Sequence, residues 1–218
     1  MKKNHYIPAF HFRWLTQWYD PIIRRLFPEE ALKTALIAQA HIQPGQNILD
    51  MGCGTGTLTL LIKQTHPNVA VCGLDVDHEV LDIARRKAEQ SGQDIILKQG
   101  TATCLPYPDG SFDRVFASLM LHHLTRQDKR LALGEAFRVL RPGGEFHVAD
   151  FGKPHDPAMW LISLLVRWVE EVYDNLLGLL PVFIAEAGFH PVEETAHYRT
   201  VASTVTLYRA CKPVGDAP

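Results

Sequence analysis

Short apolar runs alternate along most of the chain with segments whose apolar residues are spaced three and four apart. The runs predict five strands: 47–50, 69–74, 94–98, 112–118 and 145–150. The segments between them predict three helices: 58–64, 78–91 and 128–140. Strands that alternate with helices pair in parallel through right-handed crossovers. The pattern therefore predicts an open, doubly wound, Rossmann-like α/β sheet.

The two ends of the chain depart from this alternation. An aromatic-rich start is followed by a helical pattern over 28–41, and a long apolar helical pattern covers 156–180. Beyond Gly188, two strand patterns at 192–198 and 204–211 are joined by a short turn, which favours an antiparallel pair. Three parts are predicted: an N-terminal helical and aromatic cap (1–45), a main domain (46–213) with a helical lid insertion at about 155–180, and a frayed tail (214–218).

Length and composition suit one packed domain. The 218 residues are 46% hydrophobic and 21% charged, and 22 basic against 24 acidic side chains give a net charge of −2. Without a basic stripe, a nucleic-acid partner is not expected. The four cysteines, Cys53, Cys72, Cys104 and Cys211, contain no C-x-x-C pair, so we expect free buried thiols in a reducing compartment. The 11 histidines lack ligand spacing, so no metal is expected.

The chain start has no apolar core typical of a signal peptide, and the most hydrophobic run, 159–166, is too short to span a bilayer. We therefore expect a cytoplasmic protein without an integral membrane segment.

The apolar face of the 156–180 helix leaves three interpretations open: a substrate pocket or core packing, a dimer contact, or contact with a membrane surface. The predicted oligomeric state is a monomer or a homodimer.

The strongest chemical signal is a glycine-rich turn, Asp50-Met51-Gly52-Cys53-Gly54-Thr55-Gly56, between the first strand and a helix. Glycines allow a tight turn and a close approach of the backbone to a ligand. The helix that follows presents unpaired N–H groups and the positive end of its dipole. In open parallel sheets, ligands bind at the carboxyl ends of the strands, where this turn lies.

A second signal is Asp75, which ends the second strand. A carboxylate there can accept hydrogen bonds from the vicinal hydroxyls of a nucleoside ribose. The nearby Asp77 is expected to cap the helix that starts at His78 instead. A nicotinamide dehydrogenase would share these features, but its fingerprint is G-x-G-x-x-G, whereas this chain has G-x-G-x-G. The spacing disfavours a dinucleotide without excluding it.

The segment from Ile48 to Gly56 resembles the first motif of the class I S-adenosylmethionine-dependent methyltransferases. Three further stretches resemble the subgroup that includes the ubiquinone/menaquinone-biosynthesis C-methyltransferases: 105–113, 121–124 and 138–144. Together they cover roughly residues 46–150. The resemblance implies a seven-stranded, mostly parallel sheet with an antiparallel last strand. It also implies S-adenosylmethionine as cofactor, S-adenosylhomocysteine as product, and a small, fairly apolar acceptor such as a phenol, quinol or polyketide-like compound.

The same resemblance assigns roles in binding the cofactor. Its methionine part would lie on the turn that contains Cys53, its ribose on the second strand, and its adenine beyond it. The residues implied are Asp50 as a brace, Gly52, Gly54 and Gly56 along the methionine part, Asp75 at the ribose, Val76 and the Ala102 N–H at the adenine, Ser118 near the methionine end, and Tyr19 over the cofactor. Thr101 departs from the aspartate usual there, and a neutral acceptor weakens that contact by about 1 kcal/mol.

Methyl transfer needs a nucleophile held in line with the sulfonium methyl group and, for some acceptors, a base. His122 and His123 follow the fourth strand, so one of them could act as the base, and of the two we favour His123. A packing or loop-ordering role for each ring is the alternative that stays open. Two alternatives to a methyltransferase stay open. One is a non-catalytic S-adenosylmethionine-binding sensor or partner subunit. The other, less favoured, is a NAD-dependent oxidoreductase.

Overall fold

A computed structural model describes residues 29–153, 170–200 and 204–215. Tyr19, most of the predicted cap and the predicted lid up to residue 169 lie outside the described residues.

Seven strands and six helices are present in the described part of the chain. The strands are β1 (Asn47–Met51), β2 (Ala70–Asp75), β3 (Ile96–Gln99), β4 (Phe112–Ser118), β5 (Leu140–Phe151), β6 (Val192–Arg199) and β7 (Thr204–Cys211). The helices are α1 (Glu29–Ala38), α2 (Thr57–Thr65), α3 (His78–Ser91), α4 (Arg126–Val139), α5 (Glu170–Leu176) and α6 (Leu180–Glu186). The sheet order is β3-β2-β1-β4-β5-β7-β6, and β7 alone runs antiparallel to the other six strands. The predicted fold class is confirmed.

Local sequence signals account for most of these elements. The central strand β1 is buried along four of its five residues, which is why it appears as an unbroken apolar run. Helix α3 begins where Asp77 accepts a hydrogen bond from the Glu79 N–H at 2.8 Å, as predicted. It ends at Gly92, which adopts a left-handed conformation with φ 62°.

Apolar side chains cover both faces of the sheet. On one face they come from α1 and α2, and on the other from α4 and α6. Each fully buried aliphatic side chain contributes about 1.5–3 kcal/mol. The two clusters hold the central strands rigidly, so their carboxyl ends form a fixed edge for a site.

Strand β5 begins earlier than predicted. The expected start was Glu145, but Leu140 already pairs with Phe112 of β4. After this pair the register shifts, because β4 advances two residues to Arg114 while β5 advances five to Glu145. The stretch of β5 that holds these three extra residues contains Gly143, at φ 76°. The Pro142-Gly143-Gly144 segment, which the sequence pattern left between the helix 128–140 and the strand 145–150, is therefore an irregular part of the strand itself.

The prediction of one long helix up to Leu180 is also wrong at the carboxyl end of that helix. Helix α5 ends at Leu176, and Gly178 is left-handed with φ 73°. The Gly178 N–H bonds to the Asn175 carbonyl and the Leu179 N–H to the Asp174 carbonyl, which is a Schellman termination. Leu180 belongs to the next helix. Among the described helices, none is long and apolar enough to cross a membrane.

Candidate functional site

The glycine-rich loop connects β1 to α2, and its three glycines serve different purposes. Gly52, Gly54 and Gly56 have φ values of 74°, 52° and 73°, which favour glycine. A Cβ on Gly52 would lie 2.8 Å from the Met120 side chain, and one on Gly56 would lie 2.8 Å from the Ala84 Cβ. A Cβ on Gly54 would meet no heavy atom within 4 Å. Packing therefore requires two of the glycines, whereas Gly54 faces open space.

Asp75 connects this loop to the end of β2. Its Oδ2 accepts the Gly54 N–H at 2.8 Å, and its Oδ1 accepts the Asp77 N–H at 3.0 Å. Two carboxylate oxygens have about four lone-pair sites, so capacity remains for two further donors. The loop and the carboxylate form one unit, which can accept two hydrogen-bond donors from a ligand beside Gly54.

Asp50 braces the loop from beneath. Its buried carboxylate accepts the Thr59 hydroxyl at 2.6 Å and so ties β1 to α2. Burial raises the pKa of Asp50 to about 6, although the Thr59 hydroxyl opposes this shift. The side chain has no exposed surface for a ligand, so its part in the site is structural.

Cys53 contributes through its backbone. Its sulfur packs 2.9 Å from the position of a Cβ on Gly73, and its N–H donates to the Leu74 carbonyl at 3.0 Å. Burial raises the pKa of the thiol. All four cysteines are free, but the expectation of buried thiols is wrong for Cys104, whose side chain is exposed.

The predicted adenine side lies beyond β2 and β3. Val76 exposes 44% of its surface, which suits an apolar contact with a ring. The Ala102 methyl group belongs to the core, so this residue can meet a ligand only through its backbone. The Thr101 hydroxyl accepts the Thr103 N–H at 3.3 Å and lies 2.9 Å from the Thr103 hydroxyl. An adenine amino group would share that oxygen with Thr103.

The carboxyl end of β4 carries two unusual features. Within the described residues, the buried Ser118 hydroxyl has no hydrogen-bond partner, which costs about 1–3 kcal/mol. Leu119 follows with φ 53°, a left-handed conformation that costs about 1–2 kcal/mol in a non-glycine residue. Unpaired buried groups and strained backbone concentrate at functional sites. Both features fit a polar ligand group at this edge.

His122 and His123 form a 3₁₀ turn next to this edge. The His122 Nδ1 lies 2.8 Å from the Asp150 Oδ1, and both side chains are buried. His123 is exposed, and its ring centroid is 4.0 Å from that of His122. Sequence reasoning favoured His123 and passed over Asp150. The sequence did contain a signal for Asp150, because this acidic residue ends the predicted strand 145–150.

The structure thus brings Asp50, the glycine loop, Asp75 and the end of β4 to one edge of the sheet, since Gly52 approaches Met120. Thr101 and Ala102 follow β3, which pairs with β2 at the same edge. In the chain as far as it is described, no group of three His, Cys, Asp or Glu side chains is placed to hold a metal ion.

Three features place the protein in the class of Rossmann-like nucleoside-binding proteins. They are the glycine turn, the carboxylate at the end of a strand and the open parallel sheet. A methyltransferase domain family matches residues 48–144. The YcgJ protein of Bacillus subtilis has the same fold, with a TM-score of 0.70 and 19% identity over 85% of this chain and 100% of that one.

Two curated relatives narrow the class. A demethylmenaquinone methyltransferase of Symbiobacterium thermophilum is 36% identical over 156 residues, 70% of this chain and 59% of the relative. A ubiquinone/menaquinone biosynthesis C-methyltransferase of Vibrio vulnificus is 32% identical over 198 residues, 78% of this chain and 73% of the relative. The chain belongs to the class I S-adenosylmethionine-dependent methyltransferases, in the subgroup of the ubiquinone and menaquinone biosynthesis enzymes. It spans about three fifths of the length of the first two curated relatives it matches (59% and 60%).

Proposed function

We propose that the protein transfers the methyl group of S-adenosylmethionine to a small, fairly apolar acceptor, with a quinol or phenol favoured over a polyketide-like compound. The observation that carries the proposal is the unit formed by Gly54 and Asp75, in which an open left-handed glycine is hydrogen-bonded to a strand-end carboxylate. The names of the curated relatives, which refer to menaquinone and ubiquinone biosynthesis, support a quinol acceptor.

The residues present fit the cofactor. Gly52, Gly54 and Gly56 would hold its methionine part, and Asp75 would hold its ribose hydroxyls through the lone pairs left on the carboxylate. The Ser118 hydroxyl, for which the described part of the chain supplies no partner, could bond to a polar group of the methionine end. When bound, the cofactor supplies an electrophilic methyl group on a positively charged sulfur.

The protein's own task is then to position the acceptor and to take up its proton. Correct placement alone can supply about 7–11 kcal/mol of the barrier reduction. By the resemblance, Tyr19 would fold over the cofactor, and the 155–180 segment would form a lid beside the acceptor. These roles stay predictions, and so does proton transfer to one of the two neighbouring histidines, of which the sequence favoured His123.

We further infer that the enzyme works in the cytoplasm as a monomer or homodimer without a nucleic-acid partner. Its net charge of −2 and the absence of a basic run in the sequence support the last point. Light scattering after size-exclusion chromatography measures the oligomeric state directly, and a mass above that of a dimer would contradict the inference.

The test is acceptor-dependent formation of S-adenosylhomocysteine, followed by mass spectrometry with a panel of quinols, phenols and polyketide-like compounds. We expect product only when an acceptor is present, and a mass gain of one methyl group on that acceptor. Saturable cofactor binding with no transfer to any member of the panel would favour the sensor or partner subunit. Tight NAD binding would instead favour an oxidoreductase.

A further inference from the structure

A histidine–carboxylate pair lies at the carboxyl ends of β4 and β5. The His122 and Asp150 side chains are 10% and 0% exposed, and their hydrogen bond joins Nδ1 to Oδ1 at 2.8 Å. Met120, two residues before His122, packs against Gly52 of the glycine loop. The pair therefore adjoins the place where the methionine end of the cofactor is proposed to lie.

Asp150 is surrounded by donors. Its Oδ2 accepts the N–H groups of Leu121 and His122 at 2.8 and 3.3 Å, and its Oδ1 accepts the Phe151 N–H at 2.7 Å. Burial raises the pKa of Asp150, but His122 and these backbone donors outweigh burial and hold the pKa below its usual range. The carboxyl group is therefore an anion near neutral pH.

An anionic partner fixes the state of the imidazole. Because the carboxylate can only accept, Nδ1 must carry the hydrogen, which leaves the lone pair of a neutral ring on Nε2. No hydrogen bond to Nε2 comes from any residue that the structure describes. The ring is flanked by those of Phe151 and His123, with centroids at 4.5 and 4.0 Å. The imidazole of His122 is thus held in place by Asp150, and its acceptor nitrogen Nε2 has no partner among the described residues.

Asn175 connects this pair to helix α5. Its side chain is fully buried, its Nδ2 donates to the Asp150 Oδ1 at 3.3 Å, and its own Oδ1 has no partner among the described residues. The neighbouring Asp174 pairs with Arg126 at the start of α4, which holds α5 against the turn. An amide with one unpaired end is a costly buried group, so packing alone does not explain it.

We propose that His122 is the proton acceptor of the reaction and that Asp150 and Asn175 are its positioning residues. The inference rests on the proposed methyl transfer to a hydroxyl-bearing acceptor. The O–H bond of the acceptor breaks, its electron pair stays on oxygen, and the proton passes to Nε2. In a phenol or quinol that charge spreads to ring carbons, so oxygen or carbon forms the new bond to the methyl carbon, while the bond from that carbon to sulfur breaks and its electron pair stays on sulfur. When a ring carbon is methylated, it then loses its own hydrogen as a proton to water, and the ring oxygen takes up a proton from water. The imidazolium then releases its proton to water.

The first test needs no acceptor. In ¹⁵N NMR spectra at pH 8, with the signal assigned through His122→Gln, the wild-type ring is expected to be protonated on Nδ1 and bare on Nε2. Asp150→Asn is expected to lose this preference, and Asn175→Ala to weaken it. A wild-type ring protonated on Nε2 would overturn the proposal. If Asp150→Asn fails to fold, the wild-type spectrum alone still shows which ring nitrogen of His122 carries the hydrogen.

The second test compares neighbouring histidines. His122→Gln is expected to lower kcat at least about 100-fold, to remove the acidic limb of the kcat/KM pH profile, and to keep the calorimetric Kd of S-adenosylmethionine within about twofold. His123→Gln serves as the matched control, with kcat within about threefold of wild type. Asn175→Ala should lower kcat about tenfold, the equivalent of one hydrogen bond.

Wild-type turnover in His122→Gln, or the large loss appearing in His123→Gln instead, would contradict the assignment. These outcomes are distinct from failure of the proposed function. If the wild-type protein binds the cofactor but methylates no acceptor, the proposed methyl transfer is contradicted. The NMR result would still report whether Asp150 fixes the hydrogen of the His122 imidazole on Nδ1.

Discussion

A methyl group added at Gly54 should separate ligand binding from folding. Gly54 has φ 52°, and a Cβ there would meet no protein atom within 4 Å. The folded protein would therefore bear only the backbone cost of a left-handed alanine, about 1–2 kcal/mol. In the complex, the same methyl group would occupy the space assigned to the methionine part of the cofactor.

The size of the effect follows from overpacking. An extra methyl group in a close-packed contact costs about 1–3 kcal/mol, which is a loss of about 5- to 150-fold in affinity. Isothermal titration calorimetry of Gly54→Ala with S-adenosylmethionine measures this loss directly. The larger Gly54→Val is expected to abolish binding while the protein stays folded.

Gly92 provides a matched control. It also has a left-handed backbone, with φ 62°, and a Cβ there would also meet nothing within 4 Å, but it ends α3 away from the proposed site. Gly92→Ala should therefore lose the same stability on thermal denaturation and keep the wild-type Kd. If the two variants bind the cofactor equally well, the space above Gly54 is not the cofactor site and the reasoning fails.

Four further substitutions test the remaining contacts. Asp75→Ala should weaken cofactor binding in calorimetry at least about tenfold, whereas Asp77→Ala should cost only the helix cap, about 1 kcal/mol of unfolding free energy. Thr101→Asp should strengthen binding by up to about tenfold; unchanged affinity would exclude an adenine contact there. The pKa of Asp50 is raised from 3.8 to about 6 in the folded state, so the stability it contributes is present below pH 3.8 and lost as the pH rises through 6. Asp50→Asn should therefore gain up to about 3 kcal/mol over wild type at pH 8 in urea unfolding, but little at pH 4.

Local signals were enough for much of the fold. Buried parallel strands such as β1 read as apolar runs, and the ends of α3 are encoded by Asp77 and Gly92 within a residue or two. The early start of β5 was not visible, because the pairing of Leu140 with Phe112 joins residues far apart in sequence. Gly178 is a different case, since its helix-ending signal was present but was outweighed by the apolar pattern around it.

The site was predictable only in part for the same reason. Motif spacing located the glycine loop and Asp75, which the structure joins by a hydrogen bond of 2.8 Å. The choice between His122 and His123 depends on which ring faces Asp150, 28 residues beyond His122. Only the pairing of β4 with β5 brings that carboxylate to the turn, so the spacing within the motif carries no information about it.

The central claim is that the unit of Gly54 and Asp75 binds S-adenosylmethionine. Calorimetric titration of the purified protein with S-adenosylmethionine, S-adenosylhomocysteine and NAD tests it most directly. The account predicts micromolar binding of both adenosyl ligands and none of NAD. A folded protein that binds neither adenosyl ligand would contradict it, and Thr101 would then mark a site that has lost its cofactor.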